Sequence, residues 1–338
     1  MSRLDQTDTK NWDIAVKLTN VSKEYVQPQR VSGNLIKQLL HPEKKRIRAL
    51  DDVSFEIRRG EFVAYAGPNG AGKSTTFKLL CGMLSPNSGT VRTLEMDPLK
   101  KRIPIMKRTG VLFGGRSELW WDHPVVSSFE WKKEVWDIPR AVYDEMLSFA
   151  VKTLEIDSFM HAFVRELSFG QRMRAELAML LLHAPELILL DEPTIGLDVL
   201  SKQHMIEMLT QLNKQKGTTI LVTSHDMDDL MRMARRVVMI NHGQVAFDGD
   251  FQELMARSGS LRRFTVTATH PLRIAGVDSI RQDGDQYVFE VDTLKTPMRV
   301  IIQELMQQEG IEDIESEHAP IEDVIARLYE EWNNGKGQ

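Results

Sequence analysis

The sequence predicts an α/β fold with a mostly parallel sheet, followed by a small α+β domain. From about residue 50 to residue 240, apolar runs of strand length alternate with segments of helical periodicity. This alternation is typical of a parallel sheet covered by helices on both faces. The spacing of the elements changes after Gly249. The chain has 338 residues, enough for about two domains. We therefore expect one domain over residues 1–250 and a second over residues 251–338.

Composition excludes several classes of protein. Hydrophobic residues at 42% and charged residues at 27% are ordinary for a globular chain and exclude a collagen-like or wholly disordered one. A single cysteine, Cys81, excludes a disulfide framework or a zinc cluster built on cysteines. The net charge of −5 is unlike that of a dedicated nucleic-acid binder. No apolar run reaches the roughly 18 residues that span a bilayer, and the N-terminus does not look like a signal peptide. We expect a cytoplasmic protein whose relation to a membrane comes through a partner.

The N-terminal part combines strands with a basic segment. Residues 14–18 alternate like a strand, and residues 26–48 form an insertion with six basic residues against Glu43. Residues 35–40 within it could form amphipathic helical turns. Two interpretations stay open: a solvated surface insertion, or a basic piece that lies on a membrane surface.

The remaining elements follow in order. Strands are expected at residues 53–57, 61–66, 90–94, near 110–113, and at 186–190, 218–223 and 237–240. A helix should begin at Lys73, end near Cys81 and be closed by Gly82, and residues 124–164 carry helical periodicity. In the second domain we expect strands at 264–268 and 287–291 and helices at 296–308 and 321–332.

A glycine-rich loop between the strand at 61–66 and the helix at Lys73 predicts phosphate binding. Its eight residues fit G-x-x-x-x-G-K-[ST]: Gly67, Pro68, Asn69, Gly70, Ala71, Gly72, Lys73 and Ser74. The glycines let the backbone approach an anion, and amides at the helix N-terminus face it. Lys73 can reach the β- and γ-phosphates, and the Ser74 hydroxyl can bind Mg²⁺.

A buried strand that ends in two carboxylates supplies the second half of such a site. Residues 187–190 are apolar and lead into Asp191 and Glu192. Asp191 is predicted to hold Mg²⁺, through water, beside Ser74. Glu192 points elsewhere and is predicted to act as general base for the attacking water, or to orient that water.

The pentapeptide at residues 167–171, Leu-Ser-Phe-Gly-Gln, identifies a family. It resembles the signature motif of ATP-binding cassette (ABC) ATPases, with Phe169 in the variable position. Residues 195–198, Ile-Gly-Leu-Asp, look like the family's D-loop, and His225 looks like its switch histidine. Tyr25 stands where the family has an aromatic residue that stacks on adenine. The resemblance covers about residues 14–250.

The resemblance implies a fold, ligands and partners. The fold would be a RecA-like parallel-sheet core with an antiparallel β subdomain and a helical subdomain at about residues 116–172. The ligands would be ATP, bound by Tyr25, the phosphate loop and Thr75, and Mg²⁺. Ser168, Phe169, Gly170 and Gln171 would contact the ATP of a second subunit, either another copy of this chain or a homologue. Asp198 would belong to the D-loop, and Glu192, His225 and Lys73 would be catalytic. No nucleic-acid partner is expected.

One position departs from the family pattern. The family places a glutamine after the strand near residues 110–113, where this chain has Gly114 and Gly115. Weak coupling to the metal, or compensation by Glu118, both stay open. A tryptophan-rich stretch at residues 120–124 follows, with Trp131 and Trp136 beyond it. It fits equally a groove for a permease's coupling helix or packing inside the helical subdomain.

The preferred function is the ATP-hydrolysing subunit of an ABC transporter, working on the cytoplasmic face of a membrane with a separate permease. The Gly-Leu-Asp of residues 196–198, the tryptophan stretch and the C-terminal domain are similar to those of ABC-2-type exporters. The alternatives are the ATPase subunit of an importer and, in a different class, a soluble ABC ATPase that acts on nucleic acid or ribosomes. The C-terminal domain, whose role could be dimerisation, regulation or effector binding, shows no binding motif.

Overall fold

The computed structural model describes residues 14–28, 44–113, 117–224, 226–257, 261–274, 277, 280–293, 295–318, 325 and 332. The chain divides into two compact units, Met1–Asp248 and Gly249–Gln338. We describe each unit by itself.

The strands of the described residues are β1 (Ile14–Pro28), β2 (Lys44–Arg58), β3 (Phe62–Ala66), β4 (Ser88–Thr93), β5 (Thr109–Leu112), β6 (Leu187–Asp191), β7 (Thr219–Thr223), β8 (Arg236–Asn241), β9 (Gln244–Asp250), β10 (Leu261–Ala268), β11 (Arg281–Asp283), β12 (Gln286–Asp292) and β13 (Ile311–His318). The helices are α1 (Lys73–Leu80), α2 (Arg102–Met106), α3 (Val125–Val135), α4 (Arg140–Leu154), α5 (Phe169–Leu181), α6 (Val199–Lys216), α7 (Met227–Met233), α8 (Phe251–Arg257) and α9 (Met298–Met306). Two short 3₁₀ turns lie between α4 and α5, at Asp157–Phe159 and Val164–Glu166.

A six-stranded sheet forms the centre of the first unit, in the order β5-β6-β7-β3-β8-β9. Its first five strands pair in parallel, which confirms the predicted parallel core. The five residues of β7 are all buried, as are the first four of β6, which is why these strands read as continuous apolar runs. Since β6, β7 and β3 are neighbours, their carboxyl ends meet at one edge of the sheet. Loops after these strands therefore share a site.

A second sheet, with the order β2-β1-β4, is antiparallel, and its two long strands exceed the prediction. We expected five-residue strands at 14–18 and 53–57, whereas β1 and β2 have 15 residues each. The register between them shifts at Ile14/Val16, Leu18/Val21, Val21/Lys23 and Lys23/Glu24. Such bulges interrupt the alternation on which the prediction rested. Residues 26–28 and 44–48, placed in the insertion by the sequence, are thus ladder residues. The rest of the basic insertion lies outside the described residues.

Helices α3 and α4 and the two 3₁₀ turns occupy residues 125–166, where the sequence predicted helical structure. Buried Val125 and Phe129 form the inner face of α3, and Tyr143, Met146 and Ala150 that of α4. Helix α4 packs against α5 and α6. Across the described ranges of the chain, no helix combines the length and the apolar character that a bilayer crossing needs.

The second unit contains a four-stranded antiparallel sheet with the order β11-β12-β10-β13. The rings of Phe264 and Phe289 stack at 5.3 Å between centroids, and Ile301 and Leu305 of α9 are fully buried in the same core. β10, β12 and α9 lie where strands and a helix were expected. β11 and β13 were not predicted, because their residues are mostly polar and exposed. The helix expected at 321–332 lies outside the described residues except for residues 325 and 332.

Candidate active site

The glycine-rich loop joins β3 to α1 and fits closely against two other strands. A Cβ on Gly67 would lie 2.3 Å from the carbonyl oxygen of Ile240 in β8. Gly72 has φ +118°, and a Cβ there would lie 2.6 Å from the carbonyl oxygen of Ala49 in β2. Only glycine satisfies both positions. The two glycines therefore let the loop pack directly against the strands β8 and β2 while it passes around the Lys73 side chain.

The Lys73 side chain is enclosed by the loop it follows. Its ammonium donates to the carbonyl oxygens of Gly67 at 2.6 Å and Pro68 at 3.3 Å, and the residue is 6% exposed. Burial lowers the pKa of Lys73, while the charges of Glu192 and Asp191 act in the opposite direction. The lysine thus lies at the centre of the loop, with two carboxylates near enough to favour its charge.

A hydrogen-bond chain joins the loop to the carboxyl ends of β6 and β7. The Ser74 hydroxyl donates to Asp191 Oδ2 at 2.9 Å, and the Thr223 hydroxyl donates to Asp191 Oδ1 at 2.8 Å. The predicted partners Ser74 and Asp191 therefore meet, 117 positions apart in sequence. Both oxygens of Asp191 are fixed by hydroxyls from two directions.

Glu192 follows Asp191 in a left-handed backbone conformation, with φ 56°. Its N–H donates to the Thr223 carbonyl oxygen at 3.2 Å and to the Thr223 hydroxyl at 3.0 Å. This conformation is uncommon for a residue with a side chain. A cleft of about 510 Å³ opens here; its lining includes Ser74, Asp191, Glu192 and Ile195.

Tyr25 of β1 lies beside the start of α1. Its hydroxyl is 3.3 Å from that of Thr75, and the Lys23 ammonium is 5.7 Å from the centre of its ring. The structure therefore brings the predicted adenine-stacking residue next to the phosphate loop. Among the other loop residues, Pro68, Asn69 and Gly70 are exposed and Ala71 is buried.

The predicted signature residues form the N-terminus of α5. Ser168 is the N-cap: its hydroxyl accepts from the Gln171 N–H at 3.2 Å, and its own N–H donates to the Gln171 side-chain oxygen at 2.9 Å. This capping box explains the Ser and Gln spacing in local terms. Phe169 is 42% exposed. A Cβ on Gly170 would lie 2.5 Å from Ser201 Oγ, so α5 begins in close contact with the first turn of α6.

Asp198 is the N-cap of α6. Oδ1 accepts from the Ser201 N–H at 2.9 Å, and Oδ2 accepts from the Ser201 hydroxyl at 2.7 Å. These bonds, the backbone one first, lower the pKa of Asp198. His225 lies outside the described residues. Its neighbours are placed: Asp226 donates its N–H to Ser224 Oγ at 3.0 Å.

A residue that the sequence analysis missed, Glu176, lies in a second cleft beside the same carboxylates. This cleft, of about 250 Å³, includes Ser117, Glu176, Asp191 and Glu192 in its lining. The Glu176 carboxylate accepts from the Ser117 hydroxyl and, at 3.3 Å, from the Glu118 N–H. Burial raises the pKa of Glu176, against the effect of the Ser117 hydrogen bond. The only signal in the sequence was a glutamate inside an otherwise apolar run.

Glu118, considered above as a substitute for the missing glutamine, has a different partner. Its Oε2 accepts from the Lys132 ammonium at 2.9 Å, and the Lys132 side chain is 3% exposed. The glycines at 114 and 115 lie outside the described residues.

Comparison with known proteins places this geometry in a family. The family model described as ABC transporter matches residues 50–195. The chain is 32% identical over 212 residues to the ABC transporter ATP-binding protein NatA of Bacillus subtilis, covering 63% of this chain and 86% of NatA. It is 31% identical over 218 residues to the energy-coupling factor transporter ATP-binding protein EcfA2 of Clostridioides difficile, covering 63% of this chain and 76% of that protein.

Solved structures agree with the sequence comparison. The chain is similar to cbiO1 of Clostridium perfringens, part of the ABC transporter complex cbiONQ, with a TM-score of 0.60, 25% identity and coverage of 72% of this chain and 91% of cbiO1. It is also similar to the dimeric, post-hydrolysis structure of the ATP-binding cassette MJ0796 with ADP and Pi, with a TM-score of 0.57, 25% identity and coverage of 70% and 98%. With its phosphate loop, paired carboxylates and capped signature helix, the chain belongs to the family of ABC transporter ATP-binding subunits and is an ATPase.

Proposed function

We propose that the chain is the ATP-hydrolysing subunit of an ABC-2-type exporter and that it couples ATP-driven dimerisation to a separate membrane permease. The observation that carries the hydrolytic part is the contact of 2.9 Å between Ser74 and Asp191, which joins the phosphate loop to the carboxylate strand. Lys73 precedes Ser74 in sequence, Glu192 follows Asp191, and the charges of both carboxylates act on the Lys73 ammonium. Four groups suited to phosphoryl transfer thus converge at one edge of the sheet.

Mg²⁺ fits the groups at this contact. A serine hydroxyl and a carboxylate are oxygen ligands of the kind Mg²⁺ binds, together with water and substrate phosphates. Ser74 and Asp191 would hold the ion, which supplies charge neutralisation on the β- and γ-phosphates. Thr223 keeps the Asp191 carboxylate oriented through its 2.8 Å hydrogen bond.

The chain's own residues divide the remaining work. The loop amides and the Lys73 ammonium bind the phosphates, and Tyr25 stacks on the adenine. Glu192 holds the attacking water and accepts its proton, and His225 detects the γ-phosphate. The positive charge of Lys73 offsets most directly the negative charge that develops on the transferring phosphate.

A second subunit completes the site. The phosphate loop encloses one side of ATP, and the signature residues at the start of α5 would cover the γ-phosphate of the partner's ATP. Dimeric MJ0796 supports this arrangement by similarity. Asp198, in the D-loop, lies at the start of the adjacent helix α6 and would approach the partner's phosphate loop.

A surface rich in tryptophan is the proposed permease contact. Trp120, Trp121 and Trp131 are 37%, 54% and 38% exposed, and the rings of Trp120 and Trp131 lie 5.3 Å apart. Trp136, by contrast, packs on His183 at 4.9 Å. Exposed tryptophans are typical anchors of interfaces. The three exposed tryptophans therefore favour a groove for the permease's coupling helix, and Trp136 favours packing inside the helical subdomain.

The importer subunit is the second candidate, favoured by the likeness to the energy-coupling factor transporter ATP-binding protein EcfA2. The genes next to this one separate the two. A six-helix permease gene without a binding-protein gene would support the exporter, and a binding-protein or substrate-capture gene in the same cluster would contradict it. The soluble nucleic-acid ATPase would be supported by an isolated gene and by ATPase stimulation with nucleic acid or ribosomes.

The hydrolytic assignment is tested with Lys73→Ala. Loss of the ammonium should reduce ATP hydrolysis by about a hundredfold or more, because it opposes charge at the transferring phosphate. Lys17→Ala, which removes an exposed ammonium paired with Glu56, is the matched control and should leave the rate unchanged. A Lys73→Ala protein with the turnover of the unaltered chain would show that the loop is not the site of hydrolysis.

A further inference from the structure

Lys202, in the first turn of α6, connects the starts of two helices. Its ammonium lies 2.8 Å from Asp226 Oδ2 and 2.9 Å from Asp229 Oδ2. Asp226 is the N-cap of α7 and Asp229 is in its first turn. One cation thus bridges α6 and α7 through two carboxylates.

Asp229 depends on this cation. Its side chain is 5% exposed, and apart from the ion pair its Oδ2 has no hydrogen-bond partner in the described part of the chain. A buried carboxylate is destabilising unless it is paired. Removing the ammonium would therefore leave the buried Asp229 carboxylate unpaired. The first turn of α7 would then have to shift to expose this carboxylate to water.

Lys202 contacts two predicted functional segments, one through its backbone and one through its side chain. The Lys202 N–H donates to the Asp198 carbonyl oxygen at 2.9 Å, within the turn that Asp198 caps. Asp226 follows His225 in sequence. Its Oδ1 accepts from the Asp229 N–H at 3.1 Å and its N–H donates to Ser224 Oγ, so both sides of position 225 are fixed.

We propose that Lys202 is a positioning residue for hydrolysis: it ties the predicted D-loop turn at Asp198 to the start of α7 at Asp226, so that these two segments keep fixed positions relative to each other. This inference rests on the proposed function. Lys202 does not act on the nucleotide itself; it acts through Asp226.

The charges needed for this bridge are present at neutral pH. The hydrogen bond to Asp226 first, and then the ion pair with Asp229, raise the pKa of Lys202. Burial tends to raise the pKa of Asp226, but its bonds from Lys202 and from the Asp229 N–H bring it below the usual value. The bridge is also partly buried, so salt screens it less than a surface pair.

The test begins with Lys202→Met, which keeps an unbranched side chain of similar length and removes the charge. We expect the kcat for ATP to fall by about tenfold to a hundredfold through misplacement of the switch segment, with ATP affinity within about twofold. Lys202→Arg should recover most of the rate. Lys216→Met, at the other end of α6, removes the ion pair with Glu145 and serves as the matched control. It should leave both values unchanged.

A second variant separates positioning from stability. In Lys202→Met/Asp229→Asn the buried charge is gone, so the unfolding midpoint should return toward that of the unaltered chain. The rate should stay low, because Asp226 is still untied from α6. Recovery of the rate together with the midpoint would overturn the inference, as would an unchanged kcat in Lys202→Met or an equal loss of affinity.

These outcomes are distinct from failure of the proposed function. An unaltered chain without Lys73-dependent hydrolysis would overturn both proposals. Hydrolysis that needs Lys73 and ignores Lys202 would overturn this one alone.

Discussion

His183 shows how one largely buried side chain contributes to the acid sensitivity of the protein. The His183 ring packs on Trp136, and its Nε2 lies 3.2 Å from the Thr109 carbonyl oxygen. Burial, together with the charge of Lys132, lowers the pKa of His183 to about 3. The ring is therefore neutral in the folded chain above a pH of about 3, and it gains a proton on unfolding between that pH and its ordinary pKa of about 6.5.

The direction of the pH effect follows from that shift. The stabilising contribution of neutral His183 is complete above pH of about 6.5 and is lost as the pH falls toward 3. Between pH 6.5 and 4.5 the group should lower the free energy of unfolding by about 2 kcal/mol. In His183→Gln, urea unfolding at those two pH values should show a smaller decline by that amount. Equal declines in both proteins would contradict a neutral buried ring.

At the scale of residues, a motif with fixed spacing predicted a contact that the structure contains, whereas isolated charged residues gave no prediction. Ser74 and Asp191 meet as expected, because the strand that precedes each loop fixes where it emerges. Glu176 and Lys202 could not be assigned, since a charged residue on a helix gives no signal of what it faces. Their partners Ser117 and Asp226 come from distant parts of the chain.

At the scale of elements, the contact between the starts of α5 and α6 leaves no room for an added side chain. A Cβ on Gly170 would meet Ser201 Oγ at 2.5 Å and Asp198 Oδ2 at 3.3 Å. Ser201 could yield only by giving up its 2.7 Å hydrogen bond to Asp198. Gly170 therefore lets the predicted signature at the start of α5 lie directly against the predicted D-loop turn at the start of α6.

Gly170→Ala should reduce hydrolysis by about tenfold or more by displacing the D-loop turn. The unfolding midpoint should change little, because alanine favours a helix over glycine by up to about 1 kcal/mol and offsets the strain. Adding Ser201→Ala makes room for the methyl group, and part of the rate should return. A Gly170→Ala chain with an unchanged rate would show that the two helix starts are not coupled.

Element prediction was good for the parallel sheet and poor for the β1–β2 ladder. Strands β6 and β7 are apolar throughout and easily recognised, whereas the bulges after Leu18 break the alternation of β1. The family resemblance supplied the antiparallel sheet, which periodicity alone did not.

At the scale of the whole molecule, we propose that the working site needs two subunits. The described chain presents a phosphate loop with its carboxylates and, separately, a capped helix start at Ser168. Sequence predicted both halves from their motifs. A single sequence carries no direct signal of assembly. The proposal that two chains bring the two halves together is supported by the similarity to dimeric MJ0796 and by the preference of oligomers for closed, symmetric interfaces.

The most direct test of this claim is light scattering of Glu192→Gln with and without ATP. This substitution keeps the shape of the side chain and removes the base, so ATP should stay bound and the protein should shift from monomer to dimer, while ADP should leave it monomeric. Adding Ser168→Arg should abolish the dimer by filling the position that faces the partner's phosphate. A Glu192→Gln protein that stays monomeric at saturating ATP, or a dimer indifferent to nucleotide and to Ser168, would contradict the two-subunit site.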